Sequence, residues 1–454
     1  MRLHIFKAII GLLLSGWVHQ ASAGSEISSY VVLGPQGQPI VRVVTHEPTC
    51  PILMVNGLRK DMHTRAEPRN MALSPERPAV FPVRVCEMVL PSAGTEAWLN
   101  GRKLPAAKAV TQKIVLLGDT GCRLKRPAAF QSCNDTRVWP LAQVALSAAA
   151  EKPDLVIHVG DYHYRESPCL SEGCANSPSG YGSDTWEADF FVPLRPLLQA
   201  APWVFARGNH ESCARAGQGW FRFLDPRAFD PQHACDEPGQ GVGDYTAPYA
   251  VPLSPQHQLI VFDSAAASEK TGDTGATDVA AFAQQFEQVA ALARSRPYNW
   301  LVLHHPVLGY GYLPQAGYLK GNPTLVTALQ SLHFPAFFPE GIQLTLQGHI
   351  HTFELNSFQG PEPMTLITGF GGSLLEPQFP KELPRPFQFA PGVILAETQS
   401  EQQFGYTVLE QRDGHWTLVE KDVEGHPRLR CELQLEQTPY AFVCSPTASQ
   451  DHSH

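Results

Sequence analysis

The 454-residue chain is short of several things at once. No run of Lys and Arg resembles a track for a polyanion, and acids outnumber bases by 43 to 34, for a net charge of −9. Bulk electrostatics therefore argue against nucleic acid or an anionic membrane as a partner. Beyond the first residues no apolar stretch reaches the ~18 residues that a bilayer-spanning helix needs, so no membrane anchor is expected. Close C-x-x-C pairs are absent, which removes the usual cysteine metal sites. There is no internal repeat, no low-complexity segment and no segment that announces a protein partner. A charged share of only 17% beside a hydrophobic share of 43% describes a globular chain, not a disordered one.

What is present begins with MRLHIFKAIIGLLLSGWVHQASA, a basic start, a short apolar core from Ala8 to Val18 and an A-S-A ending. That is the pattern of a secretory signal over residues 1–23, cut after Ala23. Removing it takes away Arg2 and Lys7 and no acid, moving the charge from −9 to −11. No cysteine follows the cut, so a lipid anchor is not expected. All ten cysteines lie in the remainder, at 50, 86, 122, 133, 169, 174, 213, 235, 431 and 444. An even count on an exported chain predicts disulfides and a periplasmic or secreted protein. Pairing of sequence neighbours gives 50–86, 122–133, 169–174, 213–235 and 431–444.

Residues 24–108 read as short strands and turns, among them AWLNGRKLP with an Asn-Gly hairpin turn. A small β-rich N-terminal domain is expected there. From Lys113 the texture changes. Apolar runs recur as KIVLLGD, DLVIHVGD, WVFARGNHE, QLIVFDS, WLVLHHP and QLTLQGHIH, with helical stretches such as TRVWPLAQVALSAAAEKP and DVAAFAQQFEQVAALARSR between several of them. Buried strands alternating with amphipathic helices predict a layered α/β domain over 109–445. FGYTVLEQRDGHWTLVEKD alternates around Asp413-Gly414 and predicts a hairpin capping that domain. SPCLSEGCANSPSGYGSD and GQGWFRFLDPRAFDPQHACDEPGQGVGD read as long connections ordered by their cysteines, and residues 446–454 as a flexible tail.

The polar residues stand in the same place relative to those runs. Asp119 follows IVLLG, Asp161 follows VIHVG, and Asn209-His210 follow VFARG. His304-His305 follow LVL, and His349 and His351 follow TLQG. Ligands of open α/β sheets sit beyond the carboxyl ends of the strands, so five strand ends deliver these groups to one rim. The N/O donor set suits Zn, Fe or Mn. It is too large for one tetrahedral ion, and a carboxylate able to bridge predicts a two-metal centre.

GDTG, GDYHY, GNHE, LVLHHP and GHIH, in that order, resemble the five blocks of the calcineurin-like metallophosphoesterases, over roughly Lys113 to Gly372. In detail they are similar to the purple acid phosphatase pattern. The resemblance implies a layered αββα metallophosphoesterase sandwich following the β-rich domain. In most of the superfamily the first block is D-x-H, and its histidine binds the first metal. Here that place is Gly121, and the tyrosine of GDxxY, Tyr164, fills the gap. By similarity, iron(III) takes Asp119, Asp161, Tyr164 and His351. The second ion (Zn, Mn or iron(II)) takes Asp161, Asn209, His304 and His349, with Asp161 bridging. The family spacing H-x-P selects His304 over His305 through Pro306; His305 is left facing substrate or packing. Spacing favours Tyr164 as the ligand over Tyr162 and His163, with His163 free to orient substrate.

The implied chemistry is hydrolysis of a small phosphate ester. Hydroxide held by the ions attacks phosphorus, and His210, which also touches substrate, gives the leaving group its proton. Monoesters are the expected substrates, with a phosphodiesterase or nucleotidase on the same metal core as the alternative. A non-catalytic binding module that keeps the fold is the reading of another class, and the full ligand set opposes it. One departure stands out: the stretch after His304, VLGYGYLPQAGYLK, lacks the further histidines of the plant-type family, leaving Tyr310 or Tyr312 as candidates. Asp263 of VFDS is read either as orienting a ligand or as a cap.

Overall fold

The structure, a computed structural model, describes residues 26–447 apart from 72–77, 127–129, 238–240, 270–275, 314–316, 377–378 and 380–381. The predicted signal and residues 448–454 of the predicted tail lie outside the described residues. The elements that position the site are β1 (Glu26–Leu33), β2 (Lys113–Leu117), α1 (Leu141–Ala150), β3 (Leu155–His158), β4 (Trp203–Phe205), β5 (His257–Val261), α2 (Ala276–Ala293), β6 (Tyr298–Val302), α3 (Pro323–Leu332), β7 (Ile342–Gln347), β8 (Met364–Thr368), β9 (Gly405–Arg412) and β10 (His415–Asp422).

Two sheets face each other. In the larger, of 11 strands, β10-β9-β2-β3-β4-β1 run side by side, and β2, β3 and β4 are mutually parallel. In the second, of 8 strands, β5-β6-β7-β8 are neighbours and parallel. Strands buried on both faces are apolar throughout rather than alternating, which is how KIVLL, LVIH and WVF read. The period of two then sorts their side chains between two cores. Ile114, Leu116, Leu155, Ile157 and Val204 meet Leu259, Val261, Trp300, Val302, Leu344 and Leu346 between the sheets. Val115, Leu117, Val156, Trp203 and Phe205 face outward onto Leu141, Val144, Ala145 and Ala148 of α1. On the far side Ile260, Leu301 and Leu303 meet Phe282 and Phe286 of α2 and Leu325 and Leu329 of α3. The expected αββα sandwich is the fold found.

The β-rich N-terminal residues join that sandwich. β1 pairs in parallel with β4 through Val32 and Trp203, and Pro39–Thr45, Arg84–Val89 and His63–Ala66 extend the large sheet beyond it. A separate four-stranded sheet contains Ile52–Val55, Leu58–Asp61, Ala97–Leu99 and Arg102–Lys103. The two expected hairpins form, each with both turn residues at positive φ: Asn100 (51°) with Gly101 (79°), and Asp413 (52°) with Gly414 (87°). The second hairpin does more than cap the domain, because β9 pairs with β2 and lengthens the main sheet.

One stretch departs from its reading. Within the supposed connection 217–244, Gly217–Phe223 is an α-helix. Every residue of it is buried, so the sequence carries no polar face from which a helical period could be read. All five expected disulfides form, 50–86, 122–133, 169–174, 213–235 and 431–444. Such bonds persist in oxidising compartments and suggest an exported protein. No helix among the described residues is long and apolar enough to cross a membrane. Cys50–Cys86 closes a separation of 36 residues. Replacing both by Ser is expected to lower the unfolding free energy by about 2–4 kcal/mol, read as an earlier denaturant midpoint.

Candidate metal centre

Every parallel strand of the two sheets ends at the same edge, and backbone hydrogen bonds join the turns that follow. Asp119 N–H donates to the Gly160 carbonyl at 3.0 Å, Gly348 N–H to His304 at 3.0 Å, and Gly371 N–H to Gly118 at 3.1 Å. The chain turns so sharply that Asp119 (φ 54°), Asp161 (φ 59°) and His349 (φ 70°) all adopt the left-handed conformation. Non-glycine residues held there cluster at functional sites. Between them Gly160, at φ 110°, lies so close to the His304 ring that a Cβ would meet Nδ1 at 2.5 Å.

The side chains converge in two overlapping groups. Tyr164 Oη lies 3.1 Å from Asp119 Oδ1, 2.9 Å from Asp161 Oδ2 and 2.9 Å from His351 Nε2. On the other side of Asp161, Oδ2 lies 3.2 Å from His304 Nε2. One donor atom each from Asp161, His304 and His349 fall within 4.8 Å of one another. Asp161 is therefore common to both groups. All seven expected ligand side chains are brought together.

Do these groups fit metal ions? The amide of Asn209 is informative. Its Oδ1 faces Asp161 Oδ2 at 3.1 Å while its Nδ2 faces Arg215 Nη1 at 3.0 Å. Oxygen meets oxygen and N–H meets N–H, so hydrogen bonding alone would turn the amide over. With a cation shared by Oδ1, Asp161 and His304, the same placement becomes favourable. The histidines agree. His304 Nδ1 binds the Val159 carbonyl at 3.0 Å and His351 Nδ1 the Leu374 carbonyl at 2.5 Å, which aims each Nε2 inward, as metal-ligating imidazoles are held.

Charge in the free chain has the same sense. Burial works to raise Asp161, yet His304 and then His210 hold it well below the ordinary carboxylate range. Burial depresses His304, but Asp161 outweighs it and raises the imidazole to about 9. Burial, then Asp161 and Asp119, push the Tyr164 phenol well above its ordinary value. The phenol keeps its proton on Asp161 unless strong positive charge arrives.

Gly121 explains why the tyrosine can be there. A Cβ at 121 would stand 2.7 Å from the Tyr162 carbonyl oxygen and 2.8 Å from Tyr164 N. No side chain fits at 121 while the GDYHY turn occupies this path. The bare backbone at 121 and the place of the GDYHY turn that carries Tyr164 are thus sterically linked.

A family comparison now decides what this arrangement belongs to. Residues 112–353, more than half of the chain, match the model of the calcineurin-like phosphoesterase family. The chain is a calcineurin-like phosphoesterase. Membership makes it a metal-dependent phosphoric ester hydrolase. The fold of this phosphoesterase is similar to the solved structure of PhoD, with a TM-score of 0.54 and 12% identity over 94% of this chain and 93% of that one. GAP50, the anchor in the inner membrane complex of Plasmodium, gives a TM-score of 0.41 at 12% identity, over 72% of this chain and 90% of that one. No curated protein sequence matches the phosphoesterase.

Other sequence candidates fall to either side. His210 lies inside the centre, its ring 3.8 Å from that of Tyr164 and its Nε2 3.9 Å from Asp161 Oδ2. His305 stands at the rim: Nδ1 contacts Ser264 Oγ at 3.1 Å, the ring lies 4.5 Å from His349, and its buried Nε2 has no hydrogen-bond partner among the described residues. His163 points away from the ions' position, to Thr185 Oγ1 at 2.8 Å. Tyr162 spends its hydroxyl on the Ala206 carbonyl at 2.6 Å. Tyr310 is buried with its hydroxyl 3.2 Å from Thr398, and Tyr312 packs on Tyr318. Asp263 caps its own turn at Ala265 and takes a hydrogen bond from Thr246, so its role is structural.

Four residues, Glu211, Asp189, Glu166 and Arg215, hold the groups of the site in place, and all but the first escape motif reading. Glu211 accepts the N–H groups of Asp161, Tyr162, His163 and Gly208 at 2.9–3.2 Å and so shapes the GDYHY turn. Asp189 accepts Tyr164 N–H at 2.9 Å and Cys122 N–H at 3.1 Å. Glu166 takes His210 Nδ1 at 2.7 Å and Arg215 Nε at 3.0 Å. Only Glu211 has a sequence signal, as the last letter of GNHE.

Proposed function

We propose that this phosphoesterase is an exported phosphatase of purple acid phosphatase type, hydrolysing phosphate monoesters at a centre of two metal ions. The observation that carries the reading is the convergence of the Tyr164 phenol on Asp119, Asp161 and His351 beside a Gly121 that can bear no side chain. A hard trivalent ion is the cation that a phenolate serves best, so iron(III) suits Asp119, Asp161, Tyr164 and His351. Zn, Mn or iron(II) suits Asp161, Asn209, His304 and His349. Ions so held supply Lewis-acid charge for phosphate oxygens and for activating water.

The chain's own residues do the rest. Asp161 is shared by both donor groups. Asn209 opens a short 3-10 turn, and its amide stands beside Asp161 and His304. His210 faces the site through Nε2, because Nδ1–H is spent on Glu166 and the His163 carbonyl. Burial and then Arg215 push its imidazole down to about 3 in the free chain, against Asp161 and Glu166. A bound phosphate ester brings the negative charge that burial withholds, and so favours a proton on Nε2 facing the departing oxygen.

Turnover of p-nitrophenyl phosphate against bis(p-nitrophenyl) phosphate tests the reading. Faster release from the monoester is expected. Faster release from the diester would overturn the monoester assignment, and no turnover of either by metal-loaded protein would overturn the hydrolase itself. A second expectation concerns colour. Iron-loaded oxidised protein absorbs in the visible through phenolate-to-iron charge transfer, and Tyr164→Phe bleaches it. A colourless wild type, or an unchanged band in the variant, removes Tyr164 from the centre.

A further inference from the structure

Next to the centre runs a short segment, Cys122-Arg-Leu-Lys125, with an unusual distribution of charge. It is fixed at both ends. Cys122 is bonded to Cys133, and the Leu124 N–H donates to the Tyr164 carbonyl at 3.0 Å. Buried Gln131 accepts Arg123 N–H at 3.0 Å and holds the Val138 and Gly372 carbonyls through its amide nitrogen at 2.7 and 2.8 Å. Leu124 is fully buried while Arg123 and Lys125 are partly exposed, and the two cations are within electrostatic reach of each other.

Neither cation is committed. The Arg123 guanidinium stands 5.9 Å from the centroid of the Tyr164 ring, and among the described residues it makes no ion pair. The Lys125 ammonium likewise has no hydrogen bond or ion pair to a described residue, and it lies within electrostatic reach of Arg215, Glu166, Arg123 and Asp161. Arg215 is bound to Glu166, which in turn holds His210. Lys125 thus has two carboxylates, Glu166 and Asp161, and two cations, Arg215 and Arg123, within electrostatic reach. Burial, then Arg215, lower the Lys125 ammonium from its ordinary range, against Glu166 and Asp161. In a chain of net charge −9, two cations with no ion pair to a described residue stand beside the centre, Lys125 within electrostatic reach of the Glu166 and Arg215 that adjoin His210.

We propose that Arg123 and Lys125 form an anion subsite for a second phosphate carried by the departing alcohol, so that the preferred substrates are bisphosphorylated alcohols. The inference rests on the phosphomonoesterase reading above, because it takes the His210 flank as the leaving-group side. A second phosphate, on the alcohol, would give the two cations the hydrogen-bonded anion that neither has among the described residues, and a guanidinium is suited to take two of its oxygens at once.

The test compares butyl phosphate with butane-1,4-diyl bisphosphate, following phosphate release by the full-length metal-loaded protein. The ratio of kcat/KM, bisphosphate over monophosphate, is expected to be well above one. Each of Arg123→Gln and Lys125→Gln should lower that ratio by about tenfold, while the exchange Arg123→Lys with Lys125→Arg should largely keep it. A ratio near one, or a ratio that the Gln variants leave unchanged, overturns the subsite; in the latter case the cations serve the scissile phosphate alone. Calorimetry with butylphosphonate and butane-1,4-diyl bisphosphonate reads the subsite without turnover. Tighter binding of the bisphosphonate that vanishes in the double Gln variant supports the subsite even if neither ester is hydrolysed, which would fault the phosphatase reading instead. Equal binding of the two phosphonates rejects it.

Discussion

Asp161→Asn is expected to empty the centre. Elemental analysis of the purified variant should find close to no bound metal, against about two ions per chain in the wild type. The expectation follows from position. Asp161 Oδ2 lies within 3.2 Å of both Tyr164 Oη and His304 Nε2, so both donor groups lose the same charge at once. Removing an outer partner of a metal ligand already weakens affinity by roughly 10–100-fold, and a shared carboxylate lies one shell closer. If each ion contributes several kcal/mol to the transition state, losing both lowers turnover by on the order of 10⁴-fold or more. The fold should persist. The remaining amide oxygen can still accept His210 N–H, now bonded to Asp161 Oδ1 at 2.9 Å, and the sandwich core does not touch the substituted group. Unchanged metal content with native circular dichroism would show that Asp161 does not join the two halves.

How much of this was legible before any coordinates? The strands behind the site were, because buried parallel strands appear as unbroken apolar runs, and four of the five that carry expected ligands run into a glycine first, at 118, 160, 208 and 348. Their carboxyl ends could then be aligned, and the residues found there do meet. Of the histidine pair, His304 faces Asp161, while His305 lies against Ser264 and beside His349. What stayed hidden depended on contacts distant in sequence. The pairing of β1 with β4 joins Val32 to Trp203, and no local pattern announces which strand a β-rich N-terminal segment will adopt. The helix Gly217–Phe223 was hidden by its own burial. Glu166, Arg215 and Asp189 look like any surface charge in the sequence. Only the fold turns Arg215 back onto Glu166 across 49 residues and places Asp189 under the Tyr164 backbone. Ligands that define a motif were readable; the residues that hold those ligands in place were not, apart from Glu211 inside its block.

His210→Ala is expected to keep both metals and lose turnover by roughly 10²–10⁴-fold. The ring touches the centre without entering either donor group, since Nε2 stays 3.9 Å from Asp161 Oδ2 and Nδ1 is bound to Glu166. Metal content should therefore be unchanged, and the size of the loss should depend on the leaving group. p-Nitrophenolate departs without help, so its ester should suffer least. An alkoxide is a far stronger base and needs its proton as the P–O bond breaks, so butyl phosphate should suffer most. A packing role predicts the opposite pattern, an equal loss for both esters, because a displaced Tyr164 ring or Asp161 carboxylate would harm every substrate alike. Glu166→Gln separates the two further. It keeps the shape of the contact with Nδ1 but removes the carboxylate that favours an imidazolium, so it should follow His210→Ala in its leaving-group dependence with a smaller loss. If both variants lose activity evenly across the two esters, His210 is a support for Tyr164 and the proton comes from solvent.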